Sequence, residues 1–297
     1  AFLGSLFHDC LSKMYNEGFD LRTEYDKYLE KRELTNKEKF YVDNLYTTLE
    51  FIIKTIREQE SKSMYDKTLT ETRLNLKKEG KITINFLGFV DKIKYLEDND
   101  GKYLVAIIDY KTGYVPTTLD NINYGLHLQL PVYIYLTKRG LHKDIKITGF
   151  YLQKILNGKT IDSDSLEEDS KKALKLDGYS INSEEELIKF DKTYTKSDVI
   201  KGMATTSKGF AHYAKLFNDS DIEKIDRIVD ERINEVVLAI QDGNFPINPK
   251  RVKGELIGCK FCKYKEICYR KEEDIVDLEY KTRKDILGDD DNAKVDE

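Results

Sequence analysis

The stretch GFVDKIKYLEDNDGKYLVAIIDYKTG, residues 88–113, carries the strongest structural signal in this sequence. Its first part alternates apolar and polar residues, whereas YLVAIIDY, residues 103–110, is a continuous apolar run that ends in charged residues. Alternation predicts a strand with one covered face, and a continuous apolar run predicts a central strand buried on both faces. We therefore expect two neighbouring strands whose acidic residues, Asp91 and Asp109, open onto one site.

These strands bring together residue types that suit metal-assisted hydrolysis. Asp109 and Lys111 are two positions apart on an extended strand, so their side chains point the same way, and Asp91 can converge from the neighbouring strand. Two carboxylates suit Mg²⁺ or Mn²⁺, and a nearby ammonium can orient an attacking water or neutralise developing charge. The pattern predicts phosphodiester hydrolysis. The alternative is an ordinary surface Asp–Lys pair on a hairpin.

The flanking sequence predicts an α/β fold. Apolar periodicity and capping residues predict helices over residues 4–17, from a cap at Asn36, over 124–137 despite Pro131, and from Ser220 to Gly243. Strands are predicted in antiparallel order from Leu69 to Leu96, then at 103–110 and 145–155. The stripe in the last helix is expected to be core: Ile222, Ile225, Val229, Ile233, Val236 and Ile240. This order favours a mixed central sheet flanked by helices.

We expect one domain over residues 1–287, since no Gly/Ser-rich linker divides the chain. Its core would span about 1–155, followed by a polar surface insertion at about 157–200 and a helical closing segment with a cysteine loop at about 201–275. The acidic tail, 288–297, is expected to be disordered because its composition offers little apolar surface to bury.

Composition limits the possible environments and partners. The 297 residues carry 49 Lys and Arg against 54 Asp and Glu, a net charge of −5. A nucleic-acid partner would thus need a local basic path rather than a basic average. There is no apolar run of roughly 18 residues and no basic leader, so we expect a cytoplasmic protein without a membrane span. Because the first residue is Ala, we also expect a fragment of a longer chain.

Three of the four cysteines lie together near the end, in CKFCKYKEIC, as Cys259, Cys262 and Cys268. In a reducing cytoplasm this spacing favours a metal ion or an iron–sulfur cluster over disulfides, because thiolates are soft ligands. The alternative is three structural cysteines. The fourth, Cys10, lies far away in sequence.

The motifs together resemble the PD-(D/E)xK nuclease superfamily, in the branch that includes RecB and AddB nuclease domains. GFVDKIK and IIDYKTG resemble its active-site core, GSLFHDCL its GxxxH helix, and QLPVY its QxxxY helix. The resemblance implies a restriction-endonuclease-like fold. It also implies that His8 joins Asp91, Asp109 and the backbone carbonyl of Tyr110 as a metal ligand, and that Gln129 and Tyr133 lie beside the site with Lys111.

The cysteine loop resembles the CxxCx5C segment of AddB-type nucleases, which carry a four-iron four-sulfur (4Fe–4S) cluster. The resemblance implies that Cys259, Cys262 and Cys268 are three of its ligands. The family's fourth cysteine precedes the GxxxH helix, whereas Cys10 follows His8 by two positions, so the fourth ligand is either Cys10 or a residue upstream of Ala1. Zinc in the same thiolates is the alternative.

What the resemblance implies is a metal-dependent DNase, an exonuclease, that serves as the nuclease part of a DNA repair and recombination helicase–nuclease. No GxxxxGK[ST] pattern occurs, so a helicase partner subunit or a missing region would supply unwinding. Two other hypotheses stay open. One is a catalytically silent DNA-binding or assembly domain, which the intact Asp91, Asp109 and Lys111 disfavour. The other is a zinc-stabilised interaction module.

Overall fold

The computed structural model describes residues 2–31, 33–79, 83–113, 115–156, 164–260 and 262–288. Its contacts divide the chain into two compact units, one of Ala1–Thr117 with Tyr133–Ile222 and the other of Thr118–Val132 with Glu223–Glu297. Parts of the predicted insertion and tail, residues 157–163 and 289–297, lie outside the described residues. Among the described helices, none has the length and apolar character needed to cross a membrane.

The helices and strands follow one another in the predicted α/β order. The helices are α1 (Phe2–Lys13), α2 (Leu21–Glu30), α3 (Asn36–Glu60), α4 (Gln129–Gly140), α5 (Asp164–Ala173), α6 (Glu184–Phe190), α7 (Asp219–Gln241) and α8 (Arg283–Leu287). The strands are β1 (Lys67–Lys78), β2 (Ile84–Glu97), β3 (Tyr103–Lys111), β4 (Ile145–Lys154), β5 (Leu176–Ile181), β6 (Thr205–Thr206), β7 (Gly209–Phe210), β8 (Leu216–Phe217), β9 (Lys250–Val252), β10 (Glu255–Leu256) and β11 (Val276–Leu278).

A six-stranded sheet in the order β1-β2-β3-β4-β5-β8 forms the centre of the first unit. The β1–β2, β2–β3 and β4–β5 pairs are antiparallel, whereas β3–β4 and β5–β8 are parallel. The sheet is therefore mixed, and with its flanking helices it confirms the predicted fold class. Residues 104–110 of β3 are all buried, which confirms a central strand covered on both faces.

The helix boundaries follow local chemistry that the sequence analysis placed only approximately. Thr35, not Asn36, caps α3. Its side-chain oxygen accepts a hydrogen bond from the backbone N–H of Glu38, and its own backbone N–H donates to the Glu38 carboxylate, which forms a capping box. Helix α4 begins at Gln129, because Gly125 and His127 have left-handed backbones with φ of 83° and 53°. Pro131 then falls in the first turn, where a missing N–H costs no helical bond.

The expected polar surface insertion is wrong for residues 176–181, which form β5 inside the main sheet. Five of its six residues are buried, and Ser180 hydrogen-bonds Tyr151 of β4 at 2.8 Å. A Cβ at Gly178 would lie 2.1 Å from the carbonyl oxygen of Phe150, so this strand needs glycine for close approach. Gly178 and Ser180 interrupt the apolar pattern by which a strand is recognised, and the packing of β5 against β4 requires both residues.

The apolar stripe of α7 is only partly core. Ile222, Ile225 and Val229 are buried, but Val236 and Ile240 are 59% and 54% exposed. The expectation that all six residues are core is therefore wrong for the last turns of the helix. Periodicity fixes which residues share a face, but it does not fix which part of that face the fold covers.

The second unit contains the cysteine loop and a small three-stranded sheet of order β10-β9-β11. Its segment 118–132 is tied to the C-terminal segment by side-chain bonds. Asp120 Oδ1 accepts from the backbone of Arg283 at 2.7 Å, and Asn121 Oδ1 accepts from that of Lys281 at 2.8 Å. These contacts hold together parts of the chain about 160 residues apart.

Candidate functional site

The pairing of β2 with β3 brings the two predicted aspartates together. Lys92 pairs with Ile108, so the next step of the antiparallel register places Asp91 opposite Asp109. The backbone N–H of Tyr110 donates to Asp91 Oδ2 at 2.8 Å, which fixes that carboxylate against the end of β3. Both acids are thus held by regular sheet structure rather than by a loop.

Lys111 lies on the same side of β3 as Asp109. Its ammonium forms an ion pair with Asp109 Oδ2, and the two side chains are 20% and 2% exposed. The carboxylate is therefore buried at the base of the site, with the ammonium nearer solvent. This is the arrangement that the alternation of strand side chains predicts for residues two positions apart.

His8 reaches the same site from α1. The buried Phe7 and Leu11 anchor this helix, and His8 projects beside them with a 28% exposed side chain. Its Nδ1 lies 3.4 Å from Asp91 Oδ2, and its ring meets the Tyr110 ring edge-on with centroids 5.9 Å apart. The structure thus joins the GxxxH helix to the strand residues.

A further acidic residue at this site, Glu71 of β1, belongs to none of the sequence motifs. Glu71 Oε1 lies 3.9 Å from His8 Nδ1. Within the alternating pattern of β1 it looks like any outward-facing polar residue. Its position in the β1–β2 register, opposite Asp91, is the feature that distinguishes it, and that register is a property of the folded sheet.

Burial and mutual repulsion raise the pKa of the acids here. Burial, and then the charge of Asp91, raise the pKa of Asp109 to about 6, although Lys111 acts in the opposite direction. Burial raises the pKa of Asp91, and burial together with Asp91 raises that of Glu71. Clustered carboxylates of this kind are characteristic of functional sites and favour a bound cation.

The geometry of the donors fits a divalent cation. His8, Glu71 and Asp91 each offer one ligand atom, and these atoms all lie within 4.8 Å of one another. Carboxylate oxygens are preferred by Mg²⁺ and Mn²⁺, and the imidazole nitrogen is a ligand for transition metals. Asp109 lies opposite Asp91, on the adjacent strand β3.

Gln129 and Tyr133 both lie on α4, one helical turn apart. Gln129 is the first residue of the helix and is exposed, whereas Tyr133 is half-buried. A separation of four residues places them on one helix face. Gln129 falls in the second compact unit and Tyr133 in the first. Their roles in the site stay predictions.

The four cysteines do not form a closely spaced metal site in the described part of the chain. Cys10 is buried within α1, and its burial raises the thiol pKa to about 12, which opposes a thiolate. Cys259, Cys262 and Cys268 are half-buried in the loop after β10. Their three sulfur atoms do not lie within 4.8 Å of one another. The iron–sulfur assignment thus stays a prediction.

Comparison with known proteins gives a family and several relatives. A model of the PD-(D/E)XK nuclease superfamily matches residues 1–269. The chain is 24% identical over 265 residues to AddB, one of the subunits of an ATP-dependent helicase/deoxyribonuclease, from Carboxydothermus hydrogenoformans. The match covers 84% of this chain and 24% of the relative.

Proteins of the same description show similar matches in two other organisms. One from Thermoanaerobacter sp. is 28% identical over 62% of this chain and 17% of its own length. One from Alkaliphilus oremlandii is 27% identical over 67% of this chain and 18% of its own length. The chain therefore spans about a quarter or less of the length of these relatives.

Proposed function

The chain belongs to the PD-(D/E)XK nuclease superfamily, and we propose that its site hydrolyses phosphodiester bonds in DNA with the help of Mg²⁺ or Mn²⁺. The match over residues 1–269 confirms the family that the motifs predict. One structural observation carries the proposed chemistry: two carboxylates, an imidazole and an ammonium from three separate elements meet at the end of β3.

In this proposal each residue has a defined task. Asp91, Asp109, His8 and the backbone carbonyl of Tyr110 would hold the divalent cation, which would make water a stronger nucleophile by lowering its pKa. Lys111 orients the attacking water and stabilises negative charge that develops on the phosphate. Its ion pair with Asp109 supports this role, because it holds the ammonium beside the buried carboxylate of the site.

Gln129 and Tyr133 would position the DNA strand or the surroundings of Lys111. Their common face on α4 supports this role, since two polar side chains one turn apart can contact successive groups of an extended ligand. Because the chain carries a net charge of −5, the path of the DNA must be lined locally by basic residues or be shared with a partner.

We also propose that the chain acts as an exonuclease within a helicase–nuclease of DNA repair and recombination in the cytoplasm. The relatives support this assignment, since each is named as part of an ATP-dependent helicase/deoxyribonuclease. The sequence has no GxxxxGK[ST] pattern. Unwinding would therefore come from a helicase partner or from a further region of the protein.

The C-terminal thiols would hold a 4Fe–4S cluster, with zinc as the alternative. Cys259, Cys262 and Cys268 supply three ligands, and ligation would stabilise the second unit, because the free energy of metal binding is coupled to folding. The burial of Cys10 disfavours this residue as the fourth ligand. Anaerobic purification followed by visible absorbance and iron and sulfide analysis distinguishes the cluster from zinc.

Cleavage of end-labelled linear and circular DNA, with anaerobic protein and Mg²⁺, tests the nuclease assignment. We expect linear DNA to be degraded from its ends and the Asp109→Ala protein to be inactive while keeping its circular-dichroism spectrum. Parental cleavage by Asp109→Ala would contradict the assigned site. Retardation of DNA in a gel without any degradation by the parental protein would instead support the catalytically silent domain.

A further inference from the structure

Glu71 occupies a backbone conformation that is unusual within a strand. Its φ is 43°, in the left-handed region, although the pairs on either side, Thr70 with Lys92 and Thr72 with Val90, keep one continuous register. Glutamate has no intrinsic preference for this region, where its Cβ meets the following carbonyl oxygen. The folded sheet therefore holds Glu71 in a costly conformation without any insertion in the ladder.

The register places Glu71 in one row with the two aspartates. Glu71 stands opposite Asp91 across β1 and β2, and Asp91 stands opposite Asp109 across β2 and β3. Residues opposite each other in a sheet share a face. The row thus directs three carboxylates at one side of the sheet.

This row is more than a group of acids, because the imidazole of His8 faces it. His8 Nδ1 lies 3.4 Å from Asp91 Oδ2 and 3.9 Å from Glu71 Oε1. The second distance is too long for a hydrogen bond, so Glu71 is not placed there as the direct hydrogen-bond partner of His8. Ligand atoms around a Mn²⁺ ion of six-fold coordination, each about 2.1 Å from the metal, are separated by about 3–4 Å.

We infer that Glu71 is a ligand of the divalent cation, which it holds together with His8 and Asp91. The ligand atoms of these three residues all lie within 4.8 Å of one another. The inference rests on the proposed metal-dependent function and extends it, since Glu71 belongs to none of the motifs that carry the family resemblance. With Asp109 in the next position of the row, the site has four side-chain ligands from four elements, α1, β1, β2 and β3.

Calorimetric titration of the full chain with Mn²⁺ tests this inference directly. Glu71→Gln keeps the shape and hydrogen-bonding capacity of the side chain but removes its charge, and we expect the Kd for Mn²⁺ to rise at least about tenfold. The matched control is Glu79→Gln, because Glu79 follows the end of β1 with a 73% exposed side chain. The control should keep the parental Kd.

A second variant separates metal binding from folding. Glu71→Gly removes the ligand but suits a positive φ, so the metal-free protein should unfold at a higher temperature than the parent while its Mn²⁺ affinity falls. A purely structural role for Glu71 predicts instead that any effect on Mn²⁺ affinity follows the change in stability. Cleavage by Glu71→Gln should recover in part as the Mn²⁺ concentration is raised.

The outcomes distinguish this inference from the proposed function. A parental Mn²⁺ affinity in Glu71→Gln, with cleavage intact in the parent, would overturn the role of Glu71 and leave the nuclease assignment standing. Failure of the parent to bind Mn²⁺ at all would overturn both. A parent whose Mn²⁺ affinity depends on Glu71 but which cuts no DNA would support the ligand and contradict the nuclease.

Discussion

Two charged clusters lie on opposite faces of the same two strands, and they are built on opposite electrostatic principles. Asp91 and Asp109 face the candidate site, whereas the next residues along the chain, Lys92 and Tyr110, point to the other face. There Lys92 Nζ lies 2.7 Å from Glu60 Oε1 of α3, with a side chain only 2% exposed. Neighbouring residues of one strand thus serve two different environments.

The cluster around Glu60 is closed, and in it two lysine side chains surround one carboxylate. Lys94 Nζ lies 3.4 Å from Glu60 Oε1, and the Tyr15 hydroxyl donates to the same oxygen at 2.7 Å. These cations lower the pKa of Glu60 to about 2, although burial acts in the opposite direction. The Lys92 ammonium also lies 5.5 Å and 5.7 Å from the centroids of the Tyr15 and Tyr110 rings. The carboxylate is thus compensated within the fold and needs no ligand, and removal of a partner would leave buried charge uncompensated.

The cluster around Asp91 is open and carries an excess of acid. Glu71, Asp91 and Asp109 share one face with Lys111 and His8, and Glu71 is 44% exposed to solvent. Burial of charge alone therefore does not identify a functional site, because both clusters have it. The distinguishing feature is an excess of negative charge that the strands hold in place and that is open to water, because such a site favours the binding of a cation.

Breaking the closed cluster should have the largest effect on stability. Lys92→Met keeps a similar length but leaves Glu60 with less compensation in a buried place, so we expect a loss of about 3 kcal/mol in the free energy of unfolding. Urea denaturation measures this loss. The control is Lys67→Met at an exposed site on β1, which should change stability by no more than about 0.5 kcal/mol. Equal effects in both variants would contradict the role of the closed cluster.

Neutralising the open cluster should do the reverse and stabilise the metal-free protein. The pKa of Asp109 is raised from 3.8 to about 6, so its charged form opposes folding, and the penalty grows as pH rises from about 4 to 6 and stays constant above. Asp109→Asn should therefore gain about 2 kcal/mol at pH 7 in the presence of chelator. The gain should shrink at pH 4, and a variant less stable than the parent at pH 7 would count against this account.

The same titration should also affect metal binding. A carboxylate must lose its proton to bind a cation, so below about pH 6 the affinity for Mn²⁺ should fall by about tenfold per pH unit. Calorimetry between pH 5 and 8 measures the slope. An affinity independent of pH over this range would show that Asp109 is not a ligand.

Much of this fold could be predicted from local patterns. The antiparallel strands β1 and β2, the central strand β3 and strand β4 follow from alternation and from the apolar run, because burial on one face or two leaves a direct mark on the sequence. Strand β5 left no such mark, since Gly178 and Ser180 interrupt its apolar residues for reasons of packing against β4.

Local pattern was enough to select the chemically important residues in the middle of β2 and at the end of β3. Asp91, Asp109 and Lys111 could be chosen because alternation along a strand is local, and the motif spacing added His8. The other side chains that contact these residues could be identified only from the tertiary structure. Glu71 joins the site, and Lys92 pairs with Glu60, through strand register and helix placement, and these depend on contacts between residues far apart in the chain.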